Sequence, residues 1–124
     1  MKKPAKGRAT RPAFTSMRVS QGFREFVLDQ LSGVADLQAK AMFGAVGLYA
    51  GDVFFGIVAA DVLYLKVGDA NRAAYTRAGS TPFAPYPDRP ASRSYYSVPA
   101  QVLEDSRALM RWAERAIQVA RKKC

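Results

Sequence analysis

Three short β-prone runs, residues 46–49, 53–59 and 62–67, are separated only by Ala50-Gly51-Asp52 and Ala60-Asp61. Links that short join neighbouring runs as hairpins, and Gly and Asp are residues that tight turns favour. The spacing therefore predicts an antiparallel meander. In the last run Leu63, Leu65 and Val67 alternate with Tyr64 and Lys66, the period of a sheet with one packed face and one wet face. Residues 36–41 extend the pattern as a first strand, although they hold no β-branched residue, and residues 93–98 read as a final edge strand. In that register Leu63, Leu65 and Val67 belong to the core, together with Ala113, Ile117 or Phe26.

Helical signals flank the sheet. Ser20 is placed to cap a helix over 21–32, in which Phe23, Phe26, Val27 and Leu31 recur at helical spacing, and Gly33 offers a left-handed residue to end it. Asp69 and Gly79 bracket a short helix over 70–78. Residues 80–90 contain four prolines and read as surface loop. Pro99 suits a first helical turn, and Asp105 caps a second helix after a break at Glu104. From there Val102, Leu109, Ala113, Ala116, Ile117 and Ala120 share one face of a helical wheel, opposite Glu104, Arg107, Arg111, Glu114, Arg115 and Gln118. The expectation is an α+β fold: an antiparallel β-meander sheet with packed helices, one N-terminal and a long amphipathic one at the C-terminus.

A chain of 124 residues that is 49% hydrophobic can bury one core without metal or disulfide. No apolar run approaches the roughly 20 residues that span a bilayer, and the basic N-terminus is followed by no apolar signal-peptide segment. A cytoplasmic protein with no membrane partner is expected. The one cysteine, Cys124, excludes an intrachain disulfide and a cysteine metal cluster. The net charge of +9 is unevenly spread: residues 1–18 carry +6, residues 107–124 carry +5, and the segment between carries −2. Residues 1–17 are too polar to pack and read as a flexible basic tail, with Met17 an alternative start. The folded unit is expected over 18–121, with 122–124 as a basic end.

The chain has no histidine, which removes the commonest proton-transfer group and every His-based triad or zinc site. Glu104 and Asp105 project in different directions and read as solvated or capping carboxylates. Asp52 and Asp61 sit at turns, a role preferred here over metal ligation. No catalytic, metal or cofactor-binding residue is therefore assigned. Gly44-Ala45-Val46-Gly47 matches a GXXG loop only formally, because it runs into a strand and carries no positive side chain. Phe54, Phe55, Tyr64, Tyr95 and Tyr96 would make a base-stacking platform only if several shared an open face beside Lys66 and Arg93, and burial is the preferred reading. Arg107, Arg111 and Arg115 form an i, i+4, i+8 row suited to phosphates or an acidic partner, against the simpler reading of a solvated face balanced by Glu104 and Glu114. Trp112 reads as an anchor of helix packing.

From about Leu31 to Ala120 the chain resembles the TfoX N-terminal domain family. The resemblance is carried by Met42-Phe43-Gly44, Gly47-Leu48-Tyr49, Phe54-Phe55-Gly56, Leu63-Tyr64-Leu65-Lys66-Val67, Pro82-Phe83, Tyr95-Tyr96-Ser97-Val98-Pro99, Leu109 and Trp112-Ala113. The motif residues Met42, Phe43, Gly44, Gly47, Tyr49, Tyr64, Lys66, Tyr96, Pro99 and Trp112 are read as structural. Ala41 and Ala45 stand where the family usually has arginine and glycine, with Lys40 close by. The resemblance implies a competence regulator that assists a transcription activator and carries a further C-terminal domain, which these residues do not include. The expectation is accordingly a non-enzymatic regulatory or protein-interaction domain, with a protein partner from the transcription machinery. Direct non-specific DNA binding through the tail and last helix is the alternative, and a small-molecule or enzymatic role stands third. Neither partner identity nor oligomeric state is legible.

Overall fold

The computed structural model describes residues 17–86 and 88–122. The basic tail read at 1–17 thus lies outside the described residues except for Met17, whose carbonyl accepts the N–H of Ala60. Elements follow in the order α1 (Gln21–Gln30), β1 (Leu37–Met42), β2 (Ala45–Ala50), β3 (Val53–Ala59), β4 (Val62–Lys66), α2 (Arg72–Arg77), β5 (Tyr95–Ser97), α3 (Ala100–Leu103) and α4 (Ser106–Lys122). The five strands form one antiparallel sheet in sequence order. This is the expected α+β meander.

The hairpin turns explain the order. Phe43-Gly44 and Ala60-Asp61 place both central residues at positive φ, the type I′ geometry whose twist matches that of paired strands. Gly51 alone is positive in the turn between β2 and β3. A bulge between Leu48 and Tyr49 interrupts the β2–β3 register.

One sheet face meets the helices. Val46, Leu48, Phe55, Val58, Leu63 and Leu65 pack there against Leu109, Ala113, Ala116, Ile117 and Ala120 of α4 and against Val27 and Leu31 of α1. Leu65 is fully buried and Lys66 is not, so the expected register holds. Asp105 accepts the N–H groups of Arg107 and Ala108 and opens α4, as the break at Glu104 required. Ser20 caps α1 by accepting the N–H of Phe23.

Several local expectations are corrected. Phe26 is 39% exposed, because Phe23, Val27 and Leu31 already form the stripe that faces the core and Phe26 stands about a quarter-turn away. Gly33 does not supply a left-handed residue; after α1 ends at Gln30, positive φ falls on Asp36. Asp69 does not cap α2. Asn71 holds that position, accepting the N–H of Gly68 at 2.8 Å and donating to the Lys66 carbonyl at 3.1 Å, while Asp69 pairs with Arg72 at 2.9 Å. The helix is consequently shorter than 70–78. The edge strand spans three residues instead of six, and Pro99 precedes the first turn of α3, its carbonyl accepting the N–H groups of Val102 and Leu103.

Candidate interaction surfaces

The sheet face turned away from the helices is aromatic. Alternation in β4 and β5 sends Tyr64, Lys66 and Tyr95 to this side, while Leu63, Leu65 and Tyr96 face the helices. Counting back from Val58, unbroken alternation would turn Phe54 toward the helices; the register shift at Leu48/Tyr49 reverses this, so Phe55 is fully buried in the core and Phe54 joins the second face. Phe54 touches Tyr49 and Tyr95, with ring centroids 5.1 and 5.7 Å apart, and Phe83 covers Tyr64 at 4.9 Å. Lys40 lies 4.8 Å from the Tyr49 ring and Lys66 lies 5.0 Å from the Tyr95 ring, the geometry of cation–π attraction. Gly47 makes the arrangement possible, because a Cβ there would come within 3.1 Å of both Met42 Sδ and a Phe54 ring carbon.

The suggested five-residue platform is therefore only half assembled. Phe54, Tyr64 and Tyr95 share the face; Phe55 and Tyr96 do not. Lys40, Tyr49 and Phe83, left out of that grouping in the sequence, complete it. Five of the ten motif residues, Met42, Gly47, Tyr49, Tyr64 and Lys66, meet on this one surface. Burial raises the hydroxyl pKa of Tyr64, and raises that of Tyr95 to about 12 with a smaller contribution from Tyr49. At neutral pH both hydroxyls are protonated.

Phe43 and Gly44 occupy the tip of the β1–β2 hairpin. Phe43 is 89% exposed at φ +53°, a conformation that is an outlier for a bulky residue.

Along α4, the side chains of Arg107 and Arg111 make no hydrogen bond or ion pair among the described residues, and Arg115 reaches only the Ala70 carbonyl at 3.4 Å. Glu104 and Glu114 do not neutralise the row by contact. Beside it, between α2 and α4, lies a hollow of about 380 Å³ lined by Asn71, Tyr75, Trp112, Arg111 and Arg115 among others. Trp112 anchors α4 there as its position on the wheel suggested, meeting Tyr75 edge-on with centroids 4.6 Å apart. Tyr75 and Asn71 were not singled out from the sequence. The one available signal was a lone aromatic in an alanine-rich helix. Tyr96 also packs on Tyr75, at 6.2 Å.

Among the described residues, no group of three or more His, Cys, Asp or Glu could hold a metal ion, and no helix is long and apolar enough to cross a membrane. The TfoX N-terminal domain family model matches residues 29–120, and the chain belongs to that family. No curated protein matches it.

Proposed function

We propose that the chain is a non-enzymatic regulatory domain that acts in the cytoplasm by binding a protein partner, with Phe43 as the anchor. The observation that carries this reading is the exposure of Phe43 at a positive φ. A left-handed backbone costs an L-residue on the order of 1–2 kcal/mol, and an aromatic ring left in water contributes nothing to the core. Folding alone favours asparagine at this position, since Asn-Gly is the preferred pair for such a turn. A phenylalanine there gains its use outside the domain, and aromatic side chains are enriched at the centres of protein interfaces. The family's link to transcription makes a transcription regulator the first class of partner to test.

The experiment is affinity capture from the native cell, after nuclease treatment, with the wild-type chain and with Phe43→Asn. A protein retained by the first and lost by the second, with thermal stability of the variant equal or higher, supports the reading. Identical capture by both sinks it. A second reading, non-specific DNA binding through the basic ends, is favoured by Arg107, Arg111 and Arg115 making no ion pair among the described residues.

A further inference from the structure

The hollow between α2 and α4 combines an enclosed aromatic floor with a cationic mouth. Its floor is aromatic and amide: Tyr75 and Asn71 are 1% and 6% exposed, and the half-buried Trp112 and Ala74 form its walls. Its mouth is cationic, with the exposed Arg111 and Arg115 one helical turn apart on the same face. The volume falls within the usual range for small-molecule sites, which are mostly apolar with a few polar groups that fix orientation. The Tyr75 hydroxyl itself is enclosed and bonded to no described residue, so the floor offers the edge of the ring and not a donor.

We propose that this hollow binds a small aromatic carboxylate, with its ring against Trp112 and its carboxylate between Arg111 and Arg115. The ring follows from the Trp112 and Ala74 walls, which offer an apolar surface to stack on. The carboxylate follows from charge: Glu114 shares the mouth with the two arginines, leaving one net positive charge, which suits a monoanion better than a doubly charged phosphate ester. Arg111 has no internal partner to give up, and the contact of Arg115 with the Ala70 carbonyl is long. Paired guanidinium groups recognise carboxylates through charge-assisted hydrogen bonds. The site shares no residue with the Phe43 tip and stands or falls separately from the proposed protein interaction.

Trp112 is the one tryptophan of the chain, so its fluorescence, excited selectively over tyrosine, reports on the site directly. Benzoate is titrated at constant ionic strength against the full chain, with benzyl alcohol and phenyl phosphate in parallel. A saturable change with a Kd of about 1 mM is what a fragment of this size supports. Arg111→Gln and Arg115→Gln are each expected to weaken benzoate about tenfold, with circular dichroism unchanged. Benzyl alcohol binding as well as benzoate would overturn the proposal, as would benzoate affinity unaltered in both variants. Phenyl phosphate binding more tightly than benzoate overturns the assignment of the head group.

Discussion

The backbone N–H of Ser20 donates to the Asp61 carboxylate at 2.7 Å, tying the N-cap of α1 to the turn between β3 and β4. Asp61 thus carries two separable duties: it accepts this bond, and it adopts φ +58° in a type I′ turn. Asp61→Ala loses both and is expected to cost about 1–3 kcal/mol. Asp61→Gly keeps the turn and loses only the bond, and Asp61→Asn retains an acceptor and a residue that tolerates the left-handed region. Urea unfolding should rank them Asn, Gly, Ala in falling stability. Equal losses for Gly and Ala would show that the turn conformation contributes nothing.

Gly68 has a different reason to be glycine. Its φ is not positive, but a Cβ built there would stand 2.8 Å from Val119 Cγ1. Val119 is buried in α4 and its β-branched side chain has little rotamer freedom in a helix. Gly68→Ala should therefore destabilise by about 1–3 kcal/mol through overpacking. Combined with Val119→Ala, the double variant should lose less than the two single losses added together, with a coupling above about 0.5 kcal/mol. Simple additivity would place the strain elsewhere.

The meander, the two-part C-terminal helix and the core register were legible because each rests on local signals: alternation in β4, turn residues between short runs, and Asp105 before a helical stripe. What was hidden depends on non-local geometry. The bulge at Leu48/Tyr49 breaks the two-residue period, so alternation cannot tell which of Phe54 and Phe55 is buried. Asp69 and Asn71 are equally good caps on paper; Asn71 takes the position, its side chain bonding back to the Gly68 N–H and the Lys66 carbonyl and not to the N–H groups of α2. The hollow exists because Tyr75 and Trp112 meet across 37 positions of sequence, and no window short enough to show periodicity contains both.

Alkaline pH should weaken the fold through its buried tyrosines. Tyr95 rises from 10.0 to about 12, and Tyr64 and Tyr75 shift in the same direction through burial. A raised folded value means that the folded state holds its proton where the unfolded chain has released it. The stabilising contribution is therefore complete below pH 10.0 and is lost as pH climbs toward about 12. Melting temperatures measured through that window should fall. The fall should be shallower for Tyr95→Phe, a comparison that cancels the lysine titration common to both proteins. Parallel curves would mean that Tyr95 titrates as in the unfolded chain.

Duplex DNA tests the second functional reading, because the charge of this chain is concentrated at its ends. The segment between residues 18 and 107 is net acidic, so DNA binding must use the N-terminal basic residues and the arginines of α4. About five phosphate contacts would give a slope of log K against log salt near −4 to −5, with little preference among sequences. Deleting residues 1–16 should flatten that slope, and changing Arg107, Arg111 and Arg115 to Gln should flatten it further. The protein-interaction reading expects only weak association that salt disperses, in the non-specific range of about 10⁻⁴ to 10⁻⁶ M. Submicromolar binding at physiological salt, with discrimination between sequences, would displace that reading. The aromatic sheet face, with Lys40 over Tyr49 and Lys66 over Tyr95, would then be the first surface to mutate.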